Sequence, residues 1–233
     1  FFFFFFFVFF LLFFATLVRF LFAGDSVSDM GSAQPVGEGL FRSMGHGFPR
    51  VIQSLVGAVY PERSIRFTNS GIGGNTSRML LERYQRDVLD LNPQWVSICI
   101  GINDVWRQFD SPAIWDEAVS PAEYEQNLRS MIESAKAIAK GVILATPYYM
   151  EPNRTDFMRA RMQEYVDICA RLAAEYGCIF VDFQAMYDRF LQHKHSSFIA
   201  WDRVHPNQIG AALMAKEWLA ACGFDYSHAP ENA

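Results

Sequence analysis

At 233 residues, 51% of them hydrophobic and 19% charged, the chain fits one globular domain, or at most two small ones, with a sizeable buried core. Its 20 basic and 25 acidic residues leave a net charge of −5, which argues against a broad polybasic surface and so against nucleic acid or an anionic membrane as the main partner. The four cysteines (Cys99, Cys169, Cys178 and Cys222) show neither CxxC nor zinc-finger spacing and read as buried, reduced thiols.

The chain opens on an uncharged run over residues 1–18, in which 11 of the first 14 residues are Phe. As a helix it would reach roughly 27 Å, marginal for a membrane span. A signal peptide needs a basic n-region and a small-x-small cleavage site, and neither is present. A transmembrane helix would enter the first strand with no linker. With no initiating Met, residues 1–16 read as a wrongly translated start, the alternative being a membrane or export segment. On the first reading the protein is cytoplasmic. Only on the second is it membrane-anchored or exported.

Five strands are expected, over residues 17–23, 65–68, 95–100, 142–146 and 178–182. Each is apolar almost throughout instead of alternating, the pattern of strands covered on both faces. Helical stripes fall between and after them. Tyr124, Leu128, Met131, Ile132, Ala135, Ile138 and Ala139 share one face, behind a capping box at Ser120, Pro121, Ala122 and Glu123, with Gly141 closing the far end. Met158, Met162, Tyr165, Val166, Cys169, Leu172, Ala173 and Tyr176 form a second stripe, stopped by Gly177. Ala211, Met214, Ala215, Trp218, Leu219 and Cys222 form a third, stopped by Gly223. Repeated β-α alternation predicts an α/β fold, a parallel sheet between two layers of helices, as one domain over 17–224 with a polar tail at 225–233. Such sheets bind ligands beyond the carboxyl ends of their strands.

Small and polar residues gather at those ends. Gly24, Asp25, Ser26, Val27, Ser28 and Asp29 follow the first strand. Asn69, Ser70, Gly71, Ile72, Gly73, Gly74, Asn75 and Thr76 follow the second, and Gly101, Ile102, Asn103 and Asp104 the third. Trp201, Asp202, Arg203, Val204, His205 and Pro206 precede the last helix. Ser26, between a strand and a helix, is either an exposed nucleophile or a plain N-cap. Asp202 and His205, three apart on a turn, are either a carboxylate orienting an imidazole or a surface salt bridge. Gly74 and Asn103 supply either a backbone N–H and a side-chain amide to an oxyanion, or ordinary turn chemistry. None decides alone. Together they fill every role of acyl transfer to serine.

This set of blocks resembles the SGNH, or GDSL, hydrolase superfamily, through Gly24-Asp25-Ser26, Gly74, Gly101-Ile102-Asn103-Asp104 and Asp202-Arg203-Val204-His205. It is most similar to the intracellular acetylxylan esterases, or acetyl-xylooligosaccharide deacetylases. That likeness rests on Pro35-Val36-Gly37-Glu38-Gly39, residues 101–108 (GINDVWRQ), Thr146-Pro147-Tyr148-Tyr149 and residues 200–206 (AWDRVHP). The resemblance implies a flavodoxin-like three-layer α/β/α sandwich on a central five-stranded parallel sheet. It also implies a serine esterase that needs no metal or cofactor, an acetylated sugar as substrate, and a homo-oligomer. On this reading Ser26, Asp202 and His205 form the catalytic triad, and Ser26, Gly74 and Asn103 form the oxyanion hole. The first block departs from the usual Gly-Asp-Ser-Ile-Thr-Asp at two places. Gly73 stands where Ser is common, and the extra glycine loosens the loop that holds Gly74.

Asp25 and Asp104 read as loop-organising carboxylates, though they are also candidates for the substrate pocket, together with Trp106, Arg107 and Trp201. A P-loop at residues 71–76 lacks its Lys, and a dinucleotide loop lacks its third Gly. His193 and His195 have no HExxH pattern around them, so no metal is expected. Ser28 stands where the α/β-hydrolase elbow needs Gly. Two other functions fit the same scaffold: a short-chain lipase, lysophospholipase or thioesterase, and a catalytically silent carbohydrate-binding module. Sequons at Asn75 and Asn153 favour a chain that never meets the glycosylation machinery, because a glycan at Asn75 would sit beside the proposed oxyanion loop.

Overall fold

A computed structural model describes residues 18–39, 41, 43–110 and 118–230, and within them all five expected strands form and share one sheet. The run at 1–16 and the readings attached to it lie outside the described residues. Among the described residues no helix is long and apolar enough to cross a membrane. The strands are β1 (Val18–Gly24), β2 (Gly37–Glu38), β3 (Ile65–Gly71), β4 (Trp95–Cys99), β5 (Gly141–Ala145) and β6 (Ile179–Val181), in the order β2-β3-β1-β4-β5-β6. Five of them run parallel as expected. The sixth, β2, pairs antiparallel with β3 at the edge and corrects the five-stranded expectation. Two residues are too short to show a period, and only the pairing of Gly37 with Asn69 reveals the strand.

The helices are α1 (Ser26–Asp29), α2 (Phe48–Val59), α3 (Ser77–Asp87), α4 (Ile102–Trp106), α5 (Pro121–Ile138), α6 (Phe157–Tyr176), α7 (Phe183–Leu191) and α8 (Gln208–Ala221). α8 packs on α2 and α7, while α5 packs on α3 and α6, giving the two outer layers. Central β1 shows why the strands do not alternate. Phe20 and Phe22 meet the Trp218 ring of α8 on one face, and Leu21 and Ala23 point to the other, all of them buried. Ser120 caps α5 by accepting from Glu123 N–H at 3.2 Å, and Gly177 ends α6 in the left-handed region at φ +62°. Gly141 has a different role from the expected helix stop. It opens β5, where a Cβ would lie 2.4 Å from the Trp95 ring.

β3 runs three residues further than its apolar stretch, through Asn69, Ser70 and Gly71. Asn69 belongs there because its polar atoms are met inside the protein: Nδ2 donates to Ser28 O at 2.7 Å and Met44 O at 3.1 Å, and Oδ1 accepts from Gly71 N–H. The longer β3 brings the strand ends into line. Gly24 lies beside both Gly71 and Cys99, Cys99 beside Ala145, and Ala145 beside Val181. The segments that leave these residues therefore emerge along one edge.

Candidate active site

At the end of β1 the chain turns at Asp25 and α1 begins with Ser26. Asp25 is the N-cap, its Oδ1 accepting from Val27 N–H at 2.9 Å. This corrects the reading of Ser26 as a plain cap. Ser26 is the first helical residue, and its Oγ lies 2.8 Å from His205 Nε2. Its own N–H, in the first turn, has no intrahelical carbonyl to reach.

The imidazole comes from 179 positions away. His205 Nδ1 lies 2.5 Å from Asp202 Oδ2, and Asp202 Oδ1 accepts from the main-chain N–H groups of Val204 (2.9 Å) and His205 (2.8 Å). Arg203, at φ +63°, closes this tight turn. Partial burial would raise the Asp202 carboxyl, but the bonds from the His205 ring and the two N–H groups hold it below the usual carboxylate range. A carboxylate on Nδ1 fixes the tautomer with its proton there, leaving Nε2 as an acceptor for the Ser26 hydroxyl. The turn is anchored from the segment after β5: Tyr148 Oη donates to Val204 O, Met150 N–H donates to Arg203 O, and Arg203 pairs with Glu151.

The loop between β3 and α3 lies against Ser26, since a Cβ built on Gly73 would be 3.9 Å from that of Ser26. Gly74 sits at φ +79°, a left-handed conformation that a side chain would strain. Asn75 follows it, and its main-chain oxygen accepts from Asn103 Nδ2 at 3.0 Å. That bond sets the buried Asn103 amide beside Gly74 and leaves its second hydrogen for another acceptor. Asp29 ties the loop to α1: its Oδ2 accepts from Gly73 N–H at 3.0 Å, and its Oδ1 accepts from Ser32 and Gln34. This constrains the glycine-rich loop that the sequence leaves loose. The bond of Asp29 to Gly73 and those of Asn69 to Ser28 and Met44 join separate segments, so the sequence gives no local signal for them.

The two carboxylates beside these blocks are buried. Burial pushes Asp25 up to about 7, opposed by the Val27 N–H bond and reinforced by Asp104. Burial likewise pushes Asp104 up to about 6 against bonds from Ser77, whose N–H and Oγ both reach it. Both are buried, Asp25 as the cap of α1 and Asp104 within α4, where it holds the start of α3 through Ser77. Trp106 lies with its ring 5.9 Å from that of His205, and Arg107 stands over the indole at 5.7 Å while pairing with Asp110. Trp201, next to Asp202, is 96% exposed. His195 Nδ1 bonds to Ser197 Oγ. Among the described residues no three His, Cys, Asp or Glu side chains are grouped as metal ligands.

Residues 22–213 match the GDSL-like lipase/acylhydrolase family. An acetylxylan esterase of Geobacillus stearothermophilus is 44% identical over 208 residues, 89% of this chain and 95% of that protein. The structure of a mutant of Axe2, an acetyl-xylooligosaccharide esterase of the same organism, superposes with a TM-score of 0.91 at 42% identity, over 93% of this chain and 99% of that one. Three further Axe2 structures are of catalytic mutants, with a serine, a histidine or an aspartate replaced by alanine. LAE5, a hydrolase from the metagenome of Lake Arreo, is 46% identical with a TM-score of 0.88, over 91% of this chain and 97% of that one.

Proposed function

Because the chain belongs to the GDSL-like lipase/acylhydrolase family, we propose that it is a serine esterase that removes acetyl groups from acetylated xylo-oligosaccharides, with Ser26 as nucleophile. The observation that carries this reading is the unbroken hydrogen-bond chain from Ser26 Oγ through the His205 ring to Asp202. The acetylxylan esterase relatives support the choice of substrate.

In the first step His205 Nε2 takes the Ser26 proton as Oγ attacks the acetyl carbonyl, and Asp202 stabilises the imidazolium that results. The N–H groups of Ser26 and Gly74 and the side chain of Asn103 hold the oxyanion. The imidazolium then gives its proton to the departing sugar oxygen, leaving acetyl-Ser26. Water attacks that ester with His205 again as base, and acetate leaves as Ser26 recovers its proton. Trp106, Arg107 and Trp201 form the sugar side of the pocket. A homo-oligomer belongs to the same reading, and sedimentation of the purified protein reads it directly.

The test is hydrolysis of p-nitrophenyl esters and of acetylated xylo-oligosaccharides by the wild type and by Ser26→Ala. The reading expects loss of activity in the variant and a steep fall in rate beyond short acyl chains. Equal rates in the two proteins would leave only sugar binding. A maximum at long chains would turn the substrate into a lipid or thioester.

A further inference from the structure

The three oxyanion donors of the proposed mechanism come from three segments, and a buried cation lies where those segments meet. Arg83, on α3, has a side chain only 9% exposed. Its Nε donates to Asn75 Oδ1 at 2.7 Å, its Nη1 to Ser70 Oγ at 3.0 Å and Asp87 Oδ2 at 3.3 Å, and its Nη2 to Gly24 O at 3.1 Å. Gly24 ends β1 two residues before Ser26, Ser70 lies at the end of β3, and Asn75 follows Gly74. The main-chain oxygen of Asn75 also receives the Asn103 amide.

A buried guanidinium serving only an ion pair would sit closest to its carboxylate. Here Asp87 is the most distant of four acceptors, and Arg86 holds Asp87 more tightly, at 2.6 and 2.9 Å. Arg83 spends its short bonds on neutral acceptors of the site loops. Burial accordingly draws the guanidinium below its usual range, with Asp87 opposing. A planar fork with five fixed donors can grip several loops at once, which a flexible ammonium cannot do.

We propose that Arg83 is a positioning residue for the oxyanion hole, clamping the Ser26, Gly74 and Asn103 segments at a fixed separation through Gly24 and Asn75. The inference rests on the reading of Ser26 as nucleophile, and Arg83 itself touches no substrate. A displacement on the order of 1 Å in such a site costs about 10²-fold in rate, and outright loss of one oxyanion donor costs about 10²–10³-fold. The test compares Arg83→Met, Arg83→Lys, Asn75→Ala and the Arg83→Met/Asn75→Ala double variant on p-nitrophenyl acetate. Rates are taken per active site, counted by complete labelling with a fluorophosphonate.

Arg83→Met and Asn75→Ala are each expected to lower kcat about 10- to 100-fold with KM within about twofold. The double variant should be no slower than Arg83→Met, because both act along one path, and lysine should recover part of the loss. A kcat per labelled site within twofold of wild type in Arg83→Met would overturn the proposal, as would losses that multiply in the double variant. If Arg83→Met does not fold, Asn75→Ala decides the matter, since it keeps the cation and cuts its link to the loop. An unchanged kcat there ends the proposal. Failure of the underlying reading looks different: the wild type would then resist fluorophosphonate, or Ser26→Ala would remain active.

Discussion

Tyr148 donates its phenolic hydrogen to the main-chain oxygen of Val204 at 2.9 Å, so a residue just beyond β5 holds the turn that carries His205. Both partners are buried. Tyr148→Phe leaves that carbonyl without its donor, which costs about 1–3 kcal/mol where no water replaces it. Urea unfolding should show a lower midpoint, and kcat should fall with KM little changed as the imidazole loses its fixed position. An unchanged midpoint and an unchanged kcat together would remove Tyr148 from this role.

Asn103 gives one amide hydrogen to Asn75 O, and the proposed mechanism assigns the other to the developing oxyanion. Asn103→Ala should lower kcat by about 10²–10³ while KM changes little, since the interaction strengthens only as charge develops. Steady-state kinetics with p-nitrophenyl acetate reads this directly. A rise in KM at constant kcat would place Asn103 in substrate binding instead.

Asp25 ties pH to stability. Its carboxyl is pushed from 3.8 to about 7, chiefly by burial. Between those values the folded chain keeps a proton that the unfolded chain has released, so stability falls as pH rises through the window. Asn cannot ionise, yet its Oδ1 can still accept from Val27 N–H. Asp25→Asn should therefore gain stability relative to wild type on going from pH 5 to pH 8, as measured by denaturant unfolding at both. Parallel profiles would show that Asp25 titrates normally. Asp104, pushed up to about 6 chiefly by burial, stays in both proteins, and in the variant it is freed from repulsion by Asp25, which acts in the same direction.

Gly73 has room for a side chain: among the described residues a Cβ would meet only Asp29 Oδ2 at 3.4 Å and Ser26 Cβ at 3.9 Å. Gly73→Ala should stabilise the fold by about 0.4–1 kcal/mol through the unfolded chain. A raised urea midpoint is the expected outcome. A lowered one would mean that the loop needs the freedom of glycine at this position.

Residues whose work is local were the legible ones. The capping box at Ser120 and the left-handed stop at Gly177 could be read from neighbours a few positions away. The apolar strands were legible because burial on both faces removes polar residues from every position. Asn69 and Ser70 escaped for the opposite reason. They are polar in a buried strand, and their acceptors and donors lie on distant segments. Gly141 is ambiguous in sequence because a glycine before a strand and a glycine after a helix look alike, and only the Trp95 ring packed against it separates them.

By itself the order of residues determined an α/β sheet and placed a serine, an amide and an Asp-His turn at the ends of its elements, since period, capping and turn preference act over a few residues. Only the tertiary structure decided that Ser26 meets His205 across 179 positions, that Asp25 and Asp104 turn inward, and that Arg83 lies beneath the loops. Those outcomes depend on strand order and on which buried polar groups find partners, and long-range packing sets both.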